Sequence, residues 1–153
     1  MLGLGHLGNA YLWALATLPY GGPTAPLVFL NDFDKIESEN VETGLIFNTS
    51  DICSYKTRIC GAWLEERGFQ TAFVERRFDA NLPCREDEPR LAFCGFDSNA
   101  ARRDLATAGF LRVVESGLGA RRTTLTRSVC MHFQIPARPK NCGRTWAQRK
   151  WRR

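Results

Sequence analysis

Gly3, Gly5 and Gly8, within Gly3-Leu4-Gly5-His6-Leu7-Gly8, are the residues whose spacing first suggests chemistry. Glycines so spaced permit a tight turn, let backbone approach a phosphate closely, and let a helix pack tightly on a strand. The N–H groups that open the next helix are then aimed at the anion. Asp32 follows 24 positions after Gly8. A carboxylate there, at the end of the next strand, is placed to hold a ribose hydroxyl, and it suits NAD as well as ATP. Taken alone, such glycines also serve as purely structural turns at helix starts.

The flanking pattern supplies elements that could position these groups. Leu7, Tyr11, Ala14, Leu15 and Leu18 recur at helical spacing, and Pro19 with the Gly-Gly-Pro at 21–23 ends the segment. The apolar run 27–30 reads as a buried parallel strand that delivers Asn31, Asp32, Phe33 and Asp34 at its carboxyl end, where such sheets bind ligands. A polar stretch, 35–55, leads to a helix over 56–67, with Ile59 paired to Trp63, Cys60 paired to Leu64, and Gly68 as C-cap. Strands are expected at 70–74, 90–96, 112–115 and 129–135, with a helix over 100–108 capped by Ser98 and closed by Gly109. Residues 138–143 read as loop.

Alternating strands and helices predict an α/β fold, a Rossmann-like, mostly parallel sheet flanked by helices. Only Met1 and Leu2 precede Gly3, whereas such a turn normally follows an apolar strand of five or six residues. The central first strand is therefore expected to be missing, with its neighbours' main-chain groups left unpaired. This reads as an N-terminally truncated fragment or a misassigned start.

Downstream residues carry a more specific pattern. Asp32-Phe33-Asp34, Asn40, Asp51-Ile52-Cys53-Ser54-Tyr55-Lys56 and Phe96-Asp97-Ser98-Asn99 fall in order, without a gap from Asp32 to Lys56. The chain in this resembles the superfamily of ubiquitin-activating enzymes, ThiF, MoeB and HesA, which adenylate carboxylates on a Rossmann-like sheet. The resemblance covers about residues 1–120 and runs through Glu115-Ser116-Gly117-Leu118-Gly119.

That resemblance implies ATP and Mg²⁺ as cofactors. It places Gly3, Gly5, Gly8, Asp32 and Asp34 in the nucleotide site, Asp32 on the ribose, Asn40 and Lys56 on the phosphates, and Asp97 on the magnesium ion. Lys56 and Asp97 are the expected catalytic pair, because charge developing on phosphate needs a positioned cation and a metal. Singly, each has a plain alternative: a solvated lysine at a helix start, a helix cap at Asp97, a strand-end cap at Asp34. Three positions depart from the family: Thr43 stands where an arginine is usual, Gly44 follows in place of glutamine, and His6 replaces a glycine. A threonine hydroxyl does not replace a forked, permanently charged donor.

With 153 residues, one domain is expected, divided as a nucleotide-binding domain over 1–120 and a basic segment over 121–153, incomplete or weakly ordered. The net charge of +5 is uneven, since residues 116–153 hold ten basic residues and no acidic one. Arginines beside Trp146 and Trp151 suit an acidic partner, yet no nucleic-acid motif accompanies them, so nucleic-acid binding is not expected. Six scattered cysteines without metal spacing read as reduced thiols, Cys130 and Cys142 being worth inspection as nucleophiles although a structural role is the commoner one. No apolar stretch approaches a membrane span and no signal-type segment opens the chain, so a cytoplasmic protein without membrane contact is expected.

Three functions compete. The first is a ThiF-type adenylyltransferase acting on the C-terminal carboxylate of a ubiquitin-like or sulfur-carrier protein, with a homodimer as the assembly. The second is a non-catalytic member that binds nucleotide or carrier without activating it, suggested by Thr43 and the missing strand. The third is an NAD-dependent oxidoreductase, suggested by the glycines and Asp32 alone and opposed by Asn40, Lys56 and Asp97.

Overall fold

A computed structural model of the chain describes residues 1–20, 25–79, 81–118 and 129–134. Helix α1 (His6–Ala16) follows the glycine turn, then come β1 (Leu27–Asn31), α2 (Ser38–Thr43), a 3-10 turn (Thr49–Asp51) and α3 (Lys56–Glu65). The remaining elements are β2 (Gln70–Val74), β3 (Leu91–Cys94), α4 (Asn99–Leu105), β4 (Arg112–Leu118) and β5 (Val129–Gln134). β1 pairs with β2 and β3 with β4 in parallel, and β5 adds antiparallel to β4. β5 thus carries the sheet into the basic segment beyond residue 120.

The two halves of the sheet meet at Leu2, which bridges in parallel to both Asn31 and Cys94. The spatial order is β2, β1, the Met1–Leu2 stub, β3, β4, β5. Leu2 N–H donates to the Phe93 carbonyl at 2.9 Å, and the Leu2 carbonyl accepts from Gly95 N–H at 2.7 Å. On the other side Asn31 N–H donates to the Met1 carbonyl at 2.9 Å and Gly3 N–H to the Asn31 carbonyl at 2.8 Å. Two residues of the central strand are therefore in place, and they pair the carboxyl-terminal ends of both neighbours.

Met1 and Leu2 point to opposite faces, as successive strand residues must. Met1 joins Leu4, Leu12, Leu30, Cys60 and Leu64 in a core that takes its helical residues from α1 and α3. Leu2 joins Ala92, Cys94, Leu105 and Val113 in a second core covered by α4. Leu4, Leu12, Leu30 and Leu64 are fully buried, each worth about 1.5–3 kcal/mol of transfer free energy.

Two sequence expectations change. The buried stripe of α1 is Gly8, Asn9 and Leu12, with Tyr11 and Leu15 half-buried, while Ala14 and Leu18 face solvent. Contact between Gly8 and the Gly3 carbonyl sets the rotation of the helix and turns the stripe away from the Leu7–Leu18 line. The polar stretch 35–55 holds α2 and the 3-10 turn, neither of which buries a residue. Capping boxes at Glu37/Asn40 and Asn48/Asp51 form them without hydrophobic periodicity. The Gly-Gly-Pro at 21–23, Gly119 and the loop at 138–143 lie outside the described residues.

A Cβ at Gly8 would overlap the Gly3 carbonyl oxygen, backbone against backbone, whereas one at Gly5 meets nothing within 4 Å. Gly8→Ala is expected to cost about 3 kcal/mol, the upper end of overpacking, read as a lower urea midpoint. Gly5→Ala should cost less than about 1 kcal/mol, the ordinary N-cap preference for glycine.

Candidate nucleotide site

The glycine turn is held by side chains from elsewhere. Gly3 sits at φ +80°, a left-handed conformation that other residues rarely adopt. Leu4 N–H donates to Asp32 Oδ2 at 2.6 Å, joining the turn to the end of β1. Asn9 is fully buried; its Nδ2 donates to the Leu4 carbonyl at 2.8 Å and its Oδ1 accepts from Ile46 N–H at 3.2 Å. Gly5 is the N-cap of α1 and brings no side-chain cap, so the first-turn N–H groups of the helix border open space at Gly5. That is a cradle of backbone donors suited to phosphate oxygens.

Asp32 is buried, and its second oxygen accepts from Asp34 N–H at 2.8 Å. Burial raises its pKa above the usual carboxylate value, held back by the amides of Asp34 and Leu4 and by the Lys56 charge, with the Asp34 charge pushing upward again. Each oxygen keeps a second lone pair, so the carboxylate that braces the turn can still accept a hydroxyl.

Lys56 opens α3, where the helix dipole disfavours a cation, and its side chain is only 9% exposed. Its ammonium lies 3.4 Å from Asp34 Oδ2, and Asp34 is half exposed. The first turn of α3 is anchored by buried Thr57, which donates to Glu75 Oε1 at 2.8 Å, while Arg58 Nε donates to the same oxygen at 2.6 Å. The Arg58 hydrogen bond, followed by that of Thr57, holds the Glu75 carboxyl below its ordinary value. A buried lysine is thus fixed beside two carboxylates at the carboxyl end of the sheet. Asp32, Asp34, Lys56 and the glycine turn come together.

Asn40 and Thr43 have local roles. Asn40 Oδ1 accepts from Glu37 N–H at 3.0 Å in the capping box of α2, which leaves its amide nitrogen free to donate. Thr43 gives its hydroxyl proton to the Glu39 carbonyl at 2.7 Å, so its contact with His6 Nε2 requires the histidine to donate. Asp97 follows β3 and is exposed; the N-cap of α4 is Ser98, without a side-chain cap bond, and Asp97 has no hydrogen-bond partner among the described residues.

Asn9, Thr57 and the His6–Thr43 contact were missed from sequence. For Asn9 the available signal was an amide directly after the third glycine on an apolar helix. Exposed Phe33, with Arg77 4.7 Å over its ring, was likewise unmarked.

No group of three or more metal-ligating side chains occurs among the described residues. Asp97, an exposed carboxylate, is a single hard oxygen donor of the kind Mg²⁺ takes alongside phosphate oxygens and water. Cys53, Cys60, Cys84 and Cys94 are free thiols, and burial raises the pKa of Cys60 and pushes that of Cys94 up to about 11, so neither buried thiol is activated. Of the candidate nucleophiles, Cys130 lies on β5, and Cys142 lies outside the described residues, as do Trp146 and Trp151.

A glycine turn on a parallel sheet, an acid pair after β1 and a buried lysine opening α3 are the features of the ThiF-type, E1-like class. Within it the chain belongs to the BilD C-terminal domain family, whose pattern matches residues 1–152 and so includes the basic segment. The chain is 42% identical over 119 residues, 78% of its length, to the Bacterial E1-like protein BilD of Collimonas sp. (strain OK412) and spans 26% of that protein.

Solved structures share the fold. E. coli MccB with ATP superposes with a TM-score of 0.59 at 20% identity, over 76% of this chain and 36% of that one. E. coli tRNA N6-threonylcarbamoyladenosine dehydratase, TcdA, in complex with ATP gives 0.63 at 14% identity, over 80% and 51%. No helix among the described residues is long and apolar enough to cross a membrane.

The Asp32 shift has a measurable sign. A carboxyl whose pKa is higher in the folded chain contributes its stability below the ordinary value of 3.8 and loses it as pH rises through the folded value. Urea midpoints of the native chain should therefore fall, relative to those of Asp32→Asn, as pH rises from 3.8. Parallel profiles would rule out a desolvated Asp32.

Proposed function

We propose that this domain binds ATP with Mg²⁺ and activates a carboxylate by adenylation. The observation that carries this reading is Lys56, buried at the start of α3 beside Asp34 and Asp32, next to a glycine turn open at Gly5. In this reading the α1 N–H groups, Lys56 and the free amide of Asn40 hold the phosphates, Asp32 the ribose, and Asp97 the magnesium ion, with Asp34 positioning Lys56. A Mg²⁺ held by Asp97 would supply positive charge to the phosphates, and the carboxylate oxygen would bond to the α-phosphorus as the bond from that phosphorus to the departing pyrophosphate breaks. The protein's own contribution is electrostatic and positional rather than covalent. MccB and TcdA, both solved with ATP, support the nucleotide.

The proposed substrate is the C-terminal carboxylate of a ubiquitin-like or sulfur-carrier protein, in the cytoplasm. MccB has been solved with the peptide MccA, which supports a peptide chain as the activated partner. A second reading, nucleotide binding without activation, is favoured by Thr43. Its hydroxyl is committed to Glu39 and its remaining contact to His6, so no charged fork stands at that position.

Calorimetric titration with ATP and NAD, together with ATP–pyrophosphate exchange in the presence of a Gly-Gly-ended carrier, separates the readings. ATP binding with carrier-dependent exchange is expected. Lys56→Ala should weaken ATP binding about tenfold or more, or about 1.4 kcal/mol. Binding without exchange would favour the second reading, and binding of NAD alone would sink both.

A further inference from the structure

Asn40 brings its amide nitrogen to the nucleotide site from α2, a six-residue helix that buries no residue. A helix so short is marginal by itself, and its position depends on what holds it. Val41 packs half-buried against the core that contains Met1 and Leu4. The side-chain hydrogen bonds within α2 are local, joining Asn40 to Glu37, Ser38 to Glu39 and Thr43 to the Glu39 carbonyl. Among the described residues, one side-chain contact of α2 reaches far along the chain: Thr43 meets His6, 37 positions away.

That contact is part of a relay. Thr43 gives its proton to the Glu39 carbonyl at 2.7 Å, so His6 Nε2 donates to the Thr43 oxygen. A hydroxyl that accepts and donates at once is polarised by both partners, and each bond strengthens the other. The relay runs from the first residue of α1, beside the open space at Gly5, to Glu39, the neighbour of Asn40. Residues three or four apart on a helix share a face, so the face of α2 that Thr43 turns toward His6 also carries Asn40. The carboxylate of Glu39, on the same face, lies 3.4 Å from Ser38 Oγ. The Asn40 oxygen is committed to Glu37 N–H at 3.0 Å, which fixes the amide and leaves its nitrogen as the donor.

We infer that His6, acting through Thr43, is a positioning residue that seats α2 so that the Asn40 amide donates to a phosphate of the bound nucleotide. The inference rests on the nucleotide reading above and deepens it. The donor that meets the phosphate is Asn40, and His6 and Thr43 supply its position. Because α2 buries nothing, loss of this one long-range side-chain contact frees the helix end that carries Thr43, and with it the face that carries Asn40. The effect is therefore confined to ligands that bear phosphate. Both His6 and Thr43 are exposed, so their replacement leaves the two cores intact.

The test titrates ATP with Mg²⁺, and separately adenosine, into the native chain, His6→Ala, Thr43→Val, the double variant of these two, Thr43→Ser, Asn40→Ala, and Asn40→Ala combined with His6→Ala. His6→Ala and Thr43→Val should each weaken ATP about fivefold, the worth of one hydrogen bond, and the double variant no more than either, because the two act as a unit. Thr43→Ser keeps the hydroxyl and should bind ATP within about twofold of the native chain. Adenosine has no phosphate to lose, so its affinity should stay within about twofold throughout, and His6→Ala should add less than about twofold once Asn40 is alanine. Native ATP affinity in His6→Ala, an equal loss for adenosine, Thr43→Ser as weak as Thr43→Val, or an undiminished loss on the Asn40→Ala background would overturn the inference and leave the nucleotide reading standing. Absence of ATP binding by the native chain would overturn both.

Discussion

The two-sided pairing of Leu2 is the constraint on which the rest depends. It joins the β2–β1 pair to the β3–β4–β5 group, ends where the glycine turn begins, and places Met1 and Leu2 in separate cores. Four main-chain hydrogen bonds, each worth about 1 kcal/mol net, are a large part of a typical domain's 5–15 kcal/mol. The glycine turn can be held to the end of β1 only because this stub brings it there.

From that junction the site follows by charge compensation. Asp32 gives one oxygen to the turn and one to Asp34 N–H, while Asp34 accepts the Lys56 ammonium. The buried lysine is tolerable at a helix start because two carboxylates stand beside it and because Thr57 and Glu75 fix that end of α3. One acid shapes the cradle and the other aims the cation. The phosphate-binding reading thus rests on a coupled network rather than on residues acting singly.

The departures at His6 and Thr43 have a physical partner in each other. Their contact ties the first residue of α1 to the last residue of α2, next to the cradle, where a charged donor is usual in the resembled superfamily. It joins the start of α1 to the end of α2 at the rim of the site without adding a permanent charge. The BilD family membership settles the class and leaves the distinction between binding and activation to the chemistry of the site.

What the sequence determined by itself is local. The glycine spacing, the apolar run of β1 ending in two acids, the i,i+4 pairs of α3 and the basic bias of the last 38 residues are each readable from neighbours along the chain. They gave the class of fold and the expected nucleotide-site residues. The capped helix α2 escaped because it buries nothing and so leaves no periodic trace. Only tertiary structure decided that Asn9 stitches the turn to Ile46, that Thr43 meets His6, that Lys56 is buried against Asp34, and that Met1 and Leu2 pair with the ends of both β1 and β3. These contacts join residues tens of positions apart, and their energies come from burial and geometry that no local pattern encodes.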